Sequence, residues 1–198
     1  MDAVPAGRCW RRAAGAVNAS PPPDAPALPR SAPWDAEGVP ARKSAGILLY
    51  RFAGAGAVEV LIGHMGGPFW SRKDAGAWAI PKGESLPGEE LADVARREFA
   101  EEMGSPAPDG EWLALGELRT SSTKLVTIWA AEGDLDAAAA TSNTFEVEWP
   151  PRSGRVQQFP EIDRAAWLPV EQAREKLVKG QAPFLDRLLT ALETRAGS

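Results

Sequence analysis

The distribution of apolar and polar residues changes abruptly near residue 42. Residues 1–42 are dominated by Ala and Pro and show neither helical nor alternating periodicity. Such a segment cannot bury enough apolar surface to offset the entropy that it would lose on ordering. The sequence therefore predicts a disordered tail over residues 1–42 and one folded domain over residues 43–198.

Beyond the tail, alternating and continuous apolar runs predict strands. Residues 45–51 and 58–63 flank a Gly-Ala-Gly turn, which is typical of a β-hairpin. A long loop is predicted from His64 to Gly76. Further segments have strand or helix patterns, namely strands over 112–118, 125–130 and 165–168 and helices over 170–178 and 184–194. Strands on both sides of one central helix, with helices at the end, favour an α+β fold, an α/β sandwich.

The central helix is predicted over residues 89–103, which have helix-forming composition. Leu91, Ala95, Phe99 and Met103 recur every four positions along it and form an apolar stripe. This period predicts a helix that buries one face.

Three glutamates, Glu98, Glu101 and Glu102, lie on a neighbouring face of this helix. Like charges three or four residues apart repel by about 0.2–0.5 kcal/mol per pair. A helix C-terminus also carries partial negative charge, so carboxylates there are unfavourable. One interpretation is an ordinary solvated acidic face. The other is a site for a hard divalent cation such as Mg²⁺ or Mn²⁺, which takes oxygen ligands from a few carboxylates and from substrate phosphates.

A glycine loop precedes the glutamates at a defined spacing. The order is Gly83, five residues, Glu89, seven residues, Arg97-Glu98, an apolar residue, any residue, Glu101-Glu102, any residue and Gly104. This pattern resembles the Nudix box, a signature of 23 residues, and departs from it only at the last position, where Ser105 replaces an aliphatic residue. Residues 78–83 also resemble the strand and loop that lead into the box. The chain is thus similar to the Nudix hydrolases.

That resemblance implies a mixed sheet between helices and a defined reaction. Nudix hydrolases cleave a pyrophosphate linkage in a nucleoside diphosphate joined to another group, by attack of water on phosphorus. The resemblance also implies a site for Mg²⁺ or Mn²⁺. By this match, Glu98 and Glu102 are metal ligands, Glu101 is a further ligand or supports them, and the carbonyl of Lys82 completes the set.

The resemblance assigns supporting roles to other residues of the box. Arg97 and Glu89 match the family's structural pair, in which the arginine orients carboxylates through hydrogen bonds. Gly83 and Gly104 serve the backbone, at a loop position and at the helix end.

The group that activates water is open between several residues. Within the box the first candidate is Glu98. Outside it, Glu161 resembles a late-loop glutamate of the dinucleoside polyphosphate branch, and Glu148 is its rival; either could also be an ordinary surface carboxylate. His64 is the only histidine, and a place at the end of a strand is the simpler interpretation than general-acid catalysis.

Substrate recognition is expected from loops. Trp70 could stack on a base while Arg72 and Lys73 meet phosphates, although Phe69 and Trp70 could equally pin the loop to the sheet. A second loop is predicted from Ser142 to Arg155, and its Arg155, together with Lys82 and Lys124, could supply positive charge for a polyphosphate.

Composition narrows the class of protein. The 198 residues are 44% hydrophobic and 25% charged, which is ordinary for a globular protein. A net charge of -5 argues against stable binding to a nucleic-acid backbone. Apolar runs of about 18 residues are absent, so no membrane span is expected. The single cysteine, Cys9, allows no internal disulfide, and we expect a cytoplasmic protein with a small phosphoanhydride substrate.

Arg8, Arg11 and Arg12 faintly suggest a targeting peptide, but no apolar core of about 7–15 residues follows them. A start codon assigned upstream of the true domain would explain the tail equally well.

The subfamily is less sharply defined than the family. The entry to the box and Glu161 before Trp167 resemble hydrolases of diadenosine polyphosphates and related nucleoside polyphosphates. A catalytically silent Nudix-fold module that binds nucleotide or a protein partner is the alternative function. The retained Glu98, Glu101 and Glu102 favour the enzyme.

Overall fold

A computed structural model describes residues 41–197 of the chain. The first strand begins at Arg42, the last residue of the predicted tail, and residues 1–40 of that tail lie outside the described residues. The strands are β1 (Arg42–Phe52), β2 (Val58–Met65), β3 (Trp78–Ala79), β4 (Lys82–Glu84), β5 (Leu113–Ser121), β6 (Lys124–Glu132), β7 (Thr144–Glu148), β8 (Val156–Pro160) and β9 (Ile162–Pro169). The α-helices are α1 (Leu91–Met103), α2 (Val170–Lys176) and α3 (Pro183–Ala196).

Strand β1 is the centre of a mixed sheet of seven strands. The order is β3-β2-β1-β6-β5, with β4 also paired to β1 and β9 to β2. β1 and β6 run parallel from the Arg42–Lys124 pair to the Tyr50–Glu132 pair, and the other pairings are antiparallel. Residues 44–50 of β1 are all buried, as expected of a strand that is covered on both faces.

The two faces of the sheet bury two separate cores. Leu48 and Tyr50 point to one face, where they pack with Val170, Phe184 and Leu188 of the last two helices. Ile47 and Leu49 point to the other face, where α1 lies. This division follows from the two-residue side-chain period of a strand. The predicted α+β sandwich is therefore confirmed.

Helix α1 buries a face slightly different from the predicted one. Ala95, Phe99 and Met103 are buried as the stripe predicts, but the fourth buried position is Val94, and Leu91 is only partly buried. Since 3.6 residues make a turn, Val94 and Ala95 lie about 100° apart around the helix, so the buried face is wider near the start of α1 than the predicted stripe. None of the helices in residues 41–197 is long and apolar enough to cross a membrane.

The structure corrects two loop predictions. His64 and Met65 belong to β2 and do not start a loop. The segment from Ser142 to Arg155 is also not a simple loop, because β7 and β8 pair antiparallel as a separate hairpin. The alternating residues 144–148 carry this signal, but all five are exposed or only partly buried, so the apolar run that marks a core strand is missing.

Substitution of Phe99 by Ala is expected to lower the free energy of unfolding by about 3–5 kcal/mol, because it removes a fully buried ring between α1 and the sheet. Chemical denaturation followed by circular dichroism measures this loss. Ala100→Ser, at the neighbouring exposed position, is the control and should stay within about 0.5 kcal/mol of wild type. A loss of under about 1 kcal/mol for Phe99→Ala would contradict the packing described here.

Candidate active site

The segment before α1 is held against the central strand. β4 pairs with β1 through Ser44–Glu84, Ala45–Gly83 and Gly46–Lys82. Just upstream, the backbone N–H of Ile80 donates to the buried side-chain carbonyl of Gln181. The backbone of Lys82 and Gly83 therefore has a fixed position in front of the C-terminal half of α1.

Gly83 lies directly beneath the carboxylate of Glu98. A Cβ placed on Gly83 would lie 1.8 Å from Glu98 Oε2, well inside van der Waals contact. The side chain of Glu98 is only 12% exposed. Only glycine leaves room for this carboxylate, which explains the residue at the first position of the box in physical terms.

Glu102 reaches the same loop one helical turn further on. Its Oε2 accepts a hydrogen bond of 2.9 Å from the backbone N–H of Lys82. Burial raises the pKa of Glu102 to about 7, even though the Lys82 ammonium and this hydrogen bond act in the opposite direction. A carboxylate that burial penalises in this way gains from a nearby cation.

The pKa of Glu98 is also raised. Burial is the main cause, the charge of Arg97 and its hydrogen bond oppose it, and the charges of Glu101 and Glu161 add to it. The box carboxylates thus act on one another electrostatically, although each also has its own hydrogen-bond partner.

Arg97 lies among three carboxylates. Its Nη1 donates to Glu98 Oε1 at 2.5 Å, and its Nη2 is 3.4 Å from Glu89 Oε2. Glu101 Oε1 is 3.7 Å from the same guanidinium. Glu89 in turn accepts from the backbone N–H of Leu86 at 2.7 Å, within the glycine loop. These contacts fix the orientation of the Glu98 carboxylate.

Helix α1 ends at Gly104, which has a left-handed conformation with φ 67°. Its N–H donates to the carbonyl of Ala100, a common way of closing a helix C-terminus. Glu101 and Glu102 therefore lie in the last ordered turn.

Glu161 approaches the box from a separate part of the chain. Its N–H donates to the carbonyl of Asn143 at 2.8 Å, and its carbonyl accepts from the N–H of Gly66 at 2.8 Å. The Asn143 amide lies 3.3 Å from Glu101 Oε2. Partial burial and then the charge of Glu101 raise the pKa of Glu161, while the charge of Lys82 lowers it. Glu161 is thus brought to the rim of the box.

The rival residue, Glu148, is engaged elsewhere. Its Oε1 accepts from the backbone N–H of Gly154 at 2.8 Å, inside the turn of the β7–β8 hairpin. This contact closes the hairpin.

The donor set fits a hard divalent cation. Among residues 41–197, no three His, Cys, Asp or Glu side chains are placed closely enough to hold a metal ion together. Glu98 and Glu102 instead satisfy their oxygens with Arg97 and the Lys82 N–H. Both carboxylates have raised pKa values, and their oxygens suit Mg²⁺ or Mn²⁺. Because Gly83 has no side chain, it does not obstruct the carboxylate of Glu98.

Cations lie next to this acidic group. Arg42 and Lys124 are neighbours across the β1–β6 pair, and both approach Glu84, at 3.0 and 3.9 Å. Burial, and then the charge of Lys82, lower the pKa of Lys124. The carboxylates of the box are therefore flanked on one side by three positive side chains.

The remaining predicted site residues lie in the loop after β2 and in the β7–β8 hairpin. Trp70 packs against the core, with Lys73 Nζ 4.6 Å from the centre of its ring, which favours the loop-anchoring interpretation over base stacking. Arg72 is exposed in the same loop and Arg155 is exposed in the hairpin turn.

His64 is fully buried and uses both ring nitrogens. Nδ1 is 2.7 Å from Asp163 Oδ1 and Nε2 is 2.8 Å from the carbonyl of Lys73. It therefore joins the loop after β2 to β9. Together with Asn143 and Gly66, this contact is a feature that sequence reasoning missed, because it depends on pairing between distant segments.

Comparison with known proteins identifies the family of the chain. The NUDIX domain family matches residues 40–188. The chain therefore belongs to this family, and it is a Nudix hydrolase, an enzyme that acts on phosphorus-containing acid anhydrides. The predicted resemblance is confirmed. Proteins of this family generally use divalent metal ions. None of the curated proteins matches the chain.

Solved structures show the same fold at low identity. A C. elegans Ap4A hydrolase binary complex has TM-score 0.54 and 22% identity, covering 76% of this chain and 98% of that one. A mutT/nudix family protein from Listeria innocua has TM-score 0.53 and 16% identity, covering 80% and 98%. The NUDIX domain of Shewanella oneidensis NrtR complexed with ADP ribose has TM-score 0.51 and 14% identity, covering 77% and 88%.

Substitution of Gly83 by Ala is expected to lower catalytic turnover about 10- to 100-fold, because the new Cβ must displace the Glu98 carboxylate. Hydrolysis rates measured across a Mg²⁺ titration check this expectation. Gly54→Ala is the control, since a Cβ at that position meets no atom within 4 Å. Wild-type rates for Gly83→Ala would show that Glu98 does not need this position.

The stability of the metal-free protein is expected to fall as pH rises from about 4.5 to 7. In this window the folded state holds a proton on Glu102 that the unfolded state has released, because burial raises the folded pKa to about 7. The stabilisation from this group is fully present below the pKa that Glu102 has in the unfolded state. It is lost as the pH rises through the pKa that Glu102 has in the folded state. The loss is on the order of 3 kcal/mol at most.

Urea denaturation in EDTA across this pH range measures the effect. Glu102→Gln should flatten the slope, since an amide does not ionise, whereas Glu171→Gln at an exposed position of α2 should leave it unchanged. Equal slopes for Glu102→Gln and wild type would contradict the assignment.

Proposed function

We propose that this enzyme is a Mg²⁺- or Mn²⁺-dependent pyrophosphohydrolase that cleaves a nucleoside polyphosphate or dinucleoside polyphosphate by attack of water on phosphorus. One observation carries the proposal. Two desolvated carboxylates, Glu98 and Glu102, meet the Lys82–Gly83 backbone, and Glu161 arrives beside them from another part of the fold. The charge of Glu161 acts on both Glu98 and Glu102, and carboxylates that converge in this way suit a bound cation.

Glu98 and Glu102 would hold the metal, with Glu101 and the carbonyl of Lys82 as further donors. A bound divalent ion would neutralise charge on the phosphate oxygens. This neutralisation is the main requirement of phosphoryl transfer. Arg97 fixes the orientation of Glu98 and leaves its second oxygen, Oε2, towards Gly83. Because it acts through Glu98 and Glu89, Arg97 is a positioning residue.

Glu161 is our choice for the group that accepts the proton of the attacking water, ahead of Glu98. The carboxylate of Glu98 is held by Arg97 and lies on Gly83, which suits a ligand. Glu161 is exposed at the rim, its peptide is fixed on both sides by Asn143 and Gly66, and its pKa is raised by partial burial. A base works best when its pKa approaches the working pH.

Lys82, Lys124 and Arg42 form the phosphate-binding side of the site. They concentrate positive charge beside the carboxylates in a protein whose net charge is -5. Such a local field attracts a polyanion. Arg72, Lys73 and Arg155 remain predicted contacts for more distant phosphates. A small diffusible substrate of this kind suits an enzyme of the cytoplasm.

The test is a substrate panel of nucleoside triphosphates, diadenosine polyphosphates, nucleotide sugars and ADP-ribose, with products identified chromatographically. Dinucleoside polyphosphates are included because a protein of similar fold is an Ap4A hydrolase. We expect Mg²⁺-dependent cleavage of a polyphosphate. Glu98→Gln and Glu102→Gln should each reduce kcat at least about 100-fold, and Glu171→Gln should not.

The role of Glu161 is checked separately. Glu161→Gln should lower kcat while the Mg²⁺ concentration for half-maximal rate stays near its wild-type value, because the residue is proposed to act on water. A shift of that Mg²⁺ concentration with kcat retained would make Glu161 a metal ligand. Metal-independent nucleotide binding without turnover on any substrate would favour the silent binding module.

A further inference from the structure

A cavity of about 410 Å³ lies between the loop after β2 and the β7–β8 hairpin. We name it the hairpin pocket. Its walls are Gly67, Pro68 and Ser71 from the loop, Trp149, Gln157, Phe159 and Pro160 from the hairpin, and Asp163 from β9. The volume lies in the range of pockets that hold small organic ligands.

Aromatic rings dominate the hairpin side of this pocket. Trp149 is only partly buried, and Phe69, which meets it edge to face at a centroid distance of 5.4 Å, is 56% exposed. Phe159 is partly buried and stands against Phe145. Rings left accessible at the edge of a pocket offer faces on which a planar ligand can stack.

The backbone of Trp149 is held within the hairpin. The backbone N–H of Trp149 donates to the carbonyl of Arg155 at 2.8 Å, and the Trp149 carbonyl accepts from Gln157 Nε2 at 2.8 Å. Little ordering of this backbone is therefore needed when a ligand arrives, which favours binding.

Polar groups lie at the ends of the same pocket. Gln157 donates through Nε2 to Trp149, so its amide oxygen faces away as an acceptor. Asp163 is held by His64 at 2.7 Å and by Arg164 at 3.2 Å. Ser71 contributes a hydroxyl. A stacking wall with an acceptor, a carboxylate and a hydroxyl suits a planar heteroaromatic ring with N–H groups on its edge.

The pocket is next to the proposed reaction site. Pro160 in its wall directly precedes Glu161, and Gly67 directly follows Gly66, whose N–H binds the Glu161 carbonyl. A Cβ on Gly67 would lie 2.7 Å from the ring of Phe145, so the loop and the hairpin are in close contact at this point. A ligand in the pocket therefore ends beside the carboxylate group.

We propose that the hairpin pocket binds the nucleobase of the substrate, stacked on Trp149, with Gln157 and Asp163 contacting the edge of the base. That the bound ligand is the substrate of the enzyme rests on the proposed function, whereas binding of a nucleobase in the pocket does not. Trp149 takes the base-stacking role that the sequence predicted for Trp70. The ring of Trp70 is packed against the core and covered by Lys73. Trp149 and Gln157 then determine which nucleotide the enzyme prefers.

The experiment measures binding without turnover. In EDTA, the four common nucleoside monophosphates and ribose 5-phosphate are titrated into the full chain by calorimetry. Wild type should bind at least one nucleotide more tightly than ribose 5-phosphate. Trp149→Ala should weaken that binding about 5- to 100-fold, as expected for loss of one stacking ring, and Trp149→Phe should restore most of it. Phe52→Ala, at another exposed aromatic, is the control.

A second variant tests the pocket independently if Trp149→Ala is unstable. Gln157 is exposed, so Gln157→Ala should fold normally and should change the ranking of the four bases. In turnover assays, Trp149→Ala and Gln157→Ala should raise KM while kcat stays within about twofold of wild type.

Failure of this inference differs from failure of the proposed activity. Equal binding of nucleotides and ribose 5-phosphate by wild type, or unchanged nucleotide binding in both Trp149→Ala and Gln157→Ala, overturns the pocket even if hydrolysis is found. Base-dependent binding that these variants weaken supports the pocket even if no polyphosphate on the panel is cleaved.

Discussion

The contact between the Lys82–Gly83 backbone and the carboxylates of α1 is the constraint on which the site depends. Gly83 must lack a side chain for Glu98 to occupy its position, and the Lys82 N–H must point at Glu102 for that carboxylate to be held. Both conditions require β4 to pair with β1 and α1 to pack on the opposite core. The central sheet and the helix therefore act as one rigid frame for a few oxygen atoms.

This frame holds charges that the fold alone would not favour. Glu101 and Glu102 lie in the last turn of α1, where the helix dipole opposes negative charge, and burial adds a larger penalty for Glu102. Arg97, which contacts Glu89, Glu98 and Glu101, offsets part of the repulsion. A site that stores unfavourable charge in this way stabilises a bound cation more strongly than a relaxed site would.

The other half of the site is assembled from segments far apart in the chain. His64 joins the loop after β2 to Asp163. The peptide of Glu161 is held by Gly66 and Asn143, and Asn143 also contacts Glu101. The walls of the hairpin pocket are formed by the segments that these contacts join. The proposed metal ligand Glu101, the proposed base and the proposed nucleobase pocket are therefore linked by one set of hydrogen bonds.

Local pattern was enough to predict the hairpin of β1 and β2, helix α1 and the order of its glutamates, because these depend on residues a few positions apart. It was also enough for the family, since the spacing of the box places those glutamates on one face. It did not reveal the β7–β8 hairpin, whose strands are too exposed to carry an apolar signal. The positions of Glu161 and Glu148 relative to the box, the anchoring of Trp70 and the partners of His64 depend on the tertiary structure. The physical reason is that each depends on which distant backbone groups a chain brings within hydrogen-bond reach.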